Sequence, residues 1–86
     1  MLEIAIIADD LTGAADTGVQ CCPYFSNTAL LSYRNLPPDP QAFSSQALAV
    51  YTNTRSIKAE MARKRIRSTA RRLLAYQPRR VYKKVD

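Results

Sequence analysis

Apolar positions along this chain fall in short blocks, each closed by a polar cluster. Leu2 to Ala8 (LEIAIIA) is brief, rich in Ile and almost unbroken, which is the pattern of a central strand covered on both faces. Asp9 and Asp10 end it. A carboxylate inside a sheet is costly, so both are expected at the carboxyl edge of the strand, where open α/β sheets place their ligands. A helix is predicted from about Gly13 to Cys22, with Thr12 as its N-cap, Asp16 near its first turn and Pro23 as its stop. Thr28 to Tyr33 (TALLSY) is the second strand. Leu36 to Gln46 holds Pro37, Pro38 and Pro40 and reads as a loop with a short helical turn. Ala47 to Tyr51 (ALAVY) is the third strand and ends in Thr52, Asn53, Thr54 and Arg55. The second helix carries the clearest period. From about Ile57 to Tyr76, Ala59, Ala62, Ile66, Ala70 and Leu73 recur at steps of three and four, while Lys64, Arg67, Arg71 and Arg72 point away from that stripe. Pro78 prevents continuation, and Arg80 to Val85 resumes as a strand that stops at Asp86.

The order β, α, β, loop, β, α, β predicts an α/β fold: part of a Rossmann-like, three-layer domain with a mainly parallel sheet. Three strand ends, at Asp9–Asp10, Thr52–Arg55 and Asp86, then gather on one edge as a polar cleft. A domain rarely stops at the rim of its own site, so the chain is expected to be a portion of a longer one.

Composition narrows the chemistry. The chain has 86 residues, enough for one small domain, and 47% of them are hydrophobic, which argues against full disorder. It contains no His, so an imidazole base, ligand or switch is excluded within it. Cys21 and Cys22 are adjacent and cannot build a disulfide framework; with no His and no third Cys they make a poor zinc site, and they read as packing elements. Acidic residues stand where a signal peptide needs basic ones, and no apolar run is long enough for a membrane span; a cytoplasmic protein is expected. Charge is split along the chain. Residues 1–54 set five acidic residues against Arg34 alone, and residues 55–86 set twelve basic against two acidic, within an overall net charge of +6.

Three segments together resemble one family. Ile7 to Gly18 reads IADDLTGAADTG, Thr52 to Ser56 reads TNTRS after an apolar strand, and Arg80 to Asp86 reads RVYKKVD. They are similar to the N-terminal part of the four-carbon acid sugar kinases, which include threonate, erythronate and oxo-tetronate kinases. The joint pattern DDLTGxxDTG is specific where a lone DD would not be. The resemblance implies that residues 1–86 form the N-terminal portion of a sugar-acid-binding domain. It also implies that the C-terminal nucleotide-binding domain lies outside them, as does the family's STLRGN continuation. The full enzymes use ATP and Mg²⁺; this portion alone is expected to bind neither cofactor nor metal and to be inactive. The stretch CCPYFSN departs from the basic and glycine turn usual in the family.

Phosphoryl transfer to a sugar-acid hydroxyl needs alignment and balanced charge. Asp9 and Asp10 could accept or orient the hydroxyl proton, and the resemblance gives Asp10 the stronger claim as catalytic residue; alternatively both only cap the helix. Thr12 and Gly13 stand where helix-start amides could take the substrate carboxylate, or where a helix simply begins. Arg55 is the preferred cation for that carboxylate, because two Asp residues alone would repel an acid. Asn53 could bond sugar hydroxyls. Lys83 and Lys84 alternate in side, so one of them faces the cleft; Lys83 is carried as the substrate-binding candidate. Asp86 could bind substrate or Mg²⁺ by resemblance.

Two other classes remain open at this point: a non-catalytic interaction fragment, and a nucleic-acid binder built on the basic helix. The second lacks a recognised module or a stacking pair. An apolar surface left by missing strands is expected to favour self-association.

Overall fold

The computed structural model describes residues 2–25, 27–40 and 43–84. The elements are β1 (Ile4–Ala8), α1 (Leu11–Cys21), β2 (Thr28–Ser32), a 3-10 turn (Tyr33–Asn35), β3 (Ala47–Tyr51), α2 (Ala59–Leu74) and β4 (Arg80–Lys84). The four strands form one sheet in the order β2-β3-β1-β4, and every pairing is parallel. This is the expected α/β arrangement, with β1 in the interior of the sheet.

Alternation along the strands divides the core in two. Ile6 and Ala8 of β1 and Ala47 and Ala49 of β3 pack with Ala14 and Cys21 of α1 on one face. Ala5 and Ile7, with Leu48 and Val50, pack with Leu73 of α2 on the other. The connection from β1 runs over β3 to β2, and that from β3 runs back over β1 to β4. Right-handed crossovers heading in opposite directions must lie on opposite faces. Both faces of β1 and β3 are therefore covered, which is why their sequences are nearly all apolar. Each fully buried aliphatic side chain, such as Ile6, Leu48 or Leu73, contributes about 1.5–3 kcal/mol.

Several local boundaries differ from the sequence pattern. Helix α1 begins at Leu11 and is capped by Asp10, not Thr12. Asp10 is extended (φ −140°, ψ 170°) and accepts a hydrogen bond from the Gly13 amide, the geometry of an N-cap carboxylate. Tyr33 leaves β2 for the 3-10 turn, because the Ser32 hydroxyl accepts from the Arg34 amide and caps that turn. Helix α2 ends at Leu74; Gln77 takes a left-handed φ of 51° just before Pro78, reversing the chain. The apolar stripe of α2 is anchored at its carboxyl half. Thr69 and Leu73 are buried and Ala62, Ile66 and Ala70 half-buried, whereas Ala59 is exposed. Arg72 is not simply solvated, since it donates to the carbonyls of Tyr33 and Leu36. Below it, Tyr76 donates to the Pro37 carbonyl and meets Phe43 edge-on, with ring centroids 5.6 Å apart. Those contacts seat the proline-rich loop on α2.

Candidate functional site

Strands β1 and β3 are adjacent, yet their connections leave in opposite directions. That reversal opens a crevice at their carboxyl ends, the ordinary ligand position of an open α/β sheet. The residues that follow the two strands are Asp9–Asp10 and Thr52–Arg55.

Asp10 is the centre of this edge. Its Oδ1 accepts from the Gly13 amide at 2.8 Å, and its Oδ2 accepts from Arg55 Nη1 at 2.8 Å. The Gly13 amide first, then the Arg55 guanidinium, with Lys84 adding a smaller pull, hold its carboxyl below the usual carboxylate range. Asp10 is thus firmly ionised and a correspondingly weak base. Asp9 differs: its backbone carbonyl accepts from the Thr54 amide, while its carboxylate makes no hydrogen bond or ion pair with the described residues.

The loop after β3 is stitched to the end of β1. The Thr52 amide donates to the Ala8 carbonyl at 3.0 Å, and the Thr54 amide to the Asp9 carbonyl at 3.0 Å. The buried Thr52 hydroxyl lies 3.2 Å from the same Ala8 carbonyl and 2.8 Å from the Thr54 hydroxyl. Between them Asn53 turns through a left-handed φ of 54°, a region Asn enters more readily than most residues. This stitching carries Arg55 to Asp10.

Gly13 sits close against the Asp10 carboxylate. A Cβ there would lie 3.1 Å from Asp10 Oδ1 and 3.7 Å from Lys84 Cδ. Its amide is taken by Asp10. Thr12 is exposed on the first turn, whose earliest amides have no intrahelical acceptor. Asn53 is exposed and offers its side chain outward from the loop.

Of the two adjacent lysines, Lys84 is the one beside the site. In the β1–β4 register Lys84 pairs with Ala8, on the α1 face, and its Nζ lies 4.0 Å from Asp16 Oδ2. Lys83 pairs with Ile7, whose side chain faces α2, so Lys84 and not Lys83 lies on the Asp16 side of the sheet. Asp86 and Val85 lie outside the described residues.

Arg65 was not singled out by the sequence pattern. From α2 its Nη1 donates to the Thr52 carbonyl at 3.0 Å and the Asn53 carbonyl at 3.1 Å. Its guanidinium lies over the Tyr33 ring, 4.7 Å from the centroid. One signal was available: Arg65 stands one position from Ile66 and four from Thr69, close to the buried side of the helix. Arg63, Lys64, Arg67 and Arg71 are exposed.

A cleft of about 540 Å³ lies elsewhere, between α1 and β4, lined by Ile4, Ile6, Cys21, Tyr24, Phe25 and Tyr82 among others; neither Asp10 nor Arg55 lines it. Among the described residues no three His, Cys, Asp or Glu side chains gather to hold a metal ion, and no helix is long and apolar enough to cross a membrane.

Comparison with known proteins gives the family. Residues 4–86 match the family model described as the sugar-binding N-terminal domain. The chain is 36% identical over 85 residues to D-threonate kinase of Bordetella bronchiseptica, covering 96% of this chain and 21% of that protein. It is 34% identical over 88 residues to D-erythronate kinase of Heliobacterium modesticaldum, covering 100% of this chain and 20% of the relative. It thus spans about a fifth of the length of these relatives. No solved structure matches it.

Proposed function

The chain belongs to the sugar-binding N-terminal domain family, and we propose on that basis that its Asp10–Arg55 edge holds a four-carbon sugar acid such as threonate or erythronate. In a longer protein of the length of its relatives, that acid would be the acceptor of the terminal phosphoryl group of ATP. The observation that carries the reading is the 2.8 Å contact between Asp10 and Arg55 at the carboxyl ends of the two central strands.

The residues divide the work by charge. A guanidinium presents five donors in a plane, so the bond to Asp10 does not preclude a second, ligand carboxylate on Arg55. The first-turn amides at Leu11 and Thr12 add dipolar attraction for an anion. Lys84 offsets part of the negative charge of Asp9, Asp10 and Asp16. Asp10, kept ionised and fixed by Gly13 and Arg55, orients a sugar hydroxyl by accepting its hydrogen bond. Strong base catalysis is not required of it, because a loose phosphoryl-transfer transition state leaves the proton on the attacking hydroxyl until late. Asp9 is a second acceptor for a sugar hydroxyl, and Asn53 can bond the outer end of the ligand.

ATP with Mg²⁺ would supply the transferable group and neutralise its charge. On this reading the contacts to ATP and Mg²⁺ come from the remainder of a protein of the length of its relatives, of which this chain spans about a fifth, and turnover by the chain alone is not expected.

Calorimetric titration of the chain with D-threonate and D-erythronate tests the reading. Saturable binding of either acid, weakened by roughly tenfold or more in Arg55→Met, is expected. No binding of either, or equal binding by the variant, overturns it. Phosphorylation of either acid by the chain and ATP alone would overturn the assignment of catalysis to a longer protein.

A further inference from the structure

We infer that Arg65 is the positioning residue of the ligand edge, holding the loop at residues 52–55 in the shape that presents Arg55 to Asp10. Arg65 acts from α2, on the opposite face of the sheet from α1, through the backbone of the loop.

The geometry is specific. One nitrogen, Nη1, donates to two consecutive carbonyls, those of Thr52 and Asn53. Two neighbouring carbonyls converge on one donor here because Asn53 takes a left-handed φ of 54°. That conformation is uncommon for a residue with a Cβ and persists where the surroundings over-determine it. Beyond the turn, the Thr54 amide returns to the Asp9 carbonyl, and Arg55 then meets Asp10. The turn therefore sets where the Arg55 side chain begins.

Arg65 is itself braced. Its guanidinium lies 4.7 Å from the centre of the Tyr33 ring, a cation–π distance. Tyr33 is held in place by its carbonyl, which accepts from Arg72 Nη1 at 3.0 Å. Tyr33 also packs against the core on the α2 face. A chain of contacts thus runs from α2 and the end of β2 to the loop after β3. Lysine would not reproduce this arrangement, since its ammonium has no planar face to lie over the Tyr33 ring while its nitrogen donates to the two carbonyls.

That the loop serves a sugar acid rests on the reading above; that Arg65 fixes the loop does not. The test is designed so that the two can fail separately. Arg65→Met keeps an apolar stem against Tyr33 and removes the donors. Amide hydrogen exchange by NMR is expected to show the Thr54 amide exchanging roughly tenfold faster in the variant, with Ile6 and Val50 unchanged. The carboxyl carbon of Asp10 is expected to titrate closer to an ordinary carboxylate, because Arg55 is no longer presented to it. The other charged groups around it, Lys84 and Asp16, are untouched. Affinity for D-threonate or D-erythronate is expected to fall by a similar factor. Should Arg65→Met not fold, Arg65→Lys is read in the same way, with a faster Thr54 amide expected. Wild-type exchange at Thr54 together with an unmoved Asp10 titration, in whichever variant folds, overturns the assignment of Arg65. If the unaltered chain binds neither acid, the sugar-acid reading fails, and the exchange and titration results still decide the role of Arg65.

Discussion

Arg55 Nη1 stands 2.8 Å from Asp10 Oδ2 across 45 positions of sequence. The Arg55 side chain is 62% exposed and that of Asp10 27% exposed, so the pair contributes little to stability, and its value lies in preparing a balanced charge for a ligand. Arg55→Met should leave the denaturation midpoint nearly unchanged while weakening sugar-acid binding by roughly ten- to a hundredfold, the range for a lost charge-assisted hydrogen bond. Titration calorimetry beside thermal melts separates the two effects. A large melting shift with unchanged affinity would contradict it.

Acid pH should act through Asp10. Its folded-state carboxyl is held below the ordinary value, chiefly by the Gly13 amide and then by Arg55. The unfolded chain therefore binds this proton more readily. The stabilisation is fully present above about pH 4 and is lost as pH falls through the lowered native value. Asp10→Asn retains a capping oxygen but no charge, so the slope of stability against pH below about pH 4 should shrink in that variant. Denaturant melts across that range measure it, and an identical slope would count against a lowered native value.

Gly13→Ala should separate affinity from stability. A helix gains about 0.8–1 kcal/mol when Ala replaces an interior Gly, and less near its start. The new methyl would stand 3.1 Å from Asp10 Oδ1, so the carboxylate must shift away from the Gly13 amide. These effects oppose each other in stability, and net change should be small. Affinity has no such compensation and should drop. The Asp10 carboxyl titration should move upward along with it; a variant that binds as well as the original chain would show that the crevice has room to spare.

Thr52→Val tests the stitching between β1 and β3. The Thr52 hydroxyl is buried and shared between the Ala8 carbonyl and the Thr54 hydroxyl. Valine keeps the shape and leaves the buried Thr54 hydroxyl without that partner, at a cost of about 1–3 kcal/mol. In a domain of this size each kcal/mol moves the melting midpoint by about 4–8 °C. A midpoint within a degree of the original would mean that the hydroxyl pair is not energetically important.

Strand β4 forms one edge of the sheet, with Val81 50% and Tyr82 52% exposed. An unpaired edge with apolar side chains favours pairing with another chain, although Arg80, Lys83 and Lys84 on the same strand oppose it. We propose concentration-dependent self-association through this edge. Sedimentation at rising concentration should show it, with Val81→Lys reducing it; a monomer at every concentration would argue against it.

Much of the fold was legible because it depends on short-range pattern. Unbroken apolar runs at Ile4–Ala8 and Ala47–Tyr51 require cover on both faces, and the period of α2 requires one buried stripe. The parallel order follows from connections long enough to cross the sheet. The family resemblance was legible in IADDLTGAADTG, TNTRS and RVYKKVD, and the family model spans residues 4–86. What the pattern could not reveal was which polar atom meets which. Asp10 rather than Thr12 caps α1, because the chain stays extended through Asp10 and aims its carboxylate at the Gly13 amide. Lys84 rather than Lys83 stands at the crevice, because the β1–β4 register places it opposite Ala8. Arg65 looks in sequence like one more member of a basic helix. Only packing puts its guanidinium between Tyr33 and two carbonyls of a loop, since hydrogen bonds are directional and depend on positions that distant segments assume together.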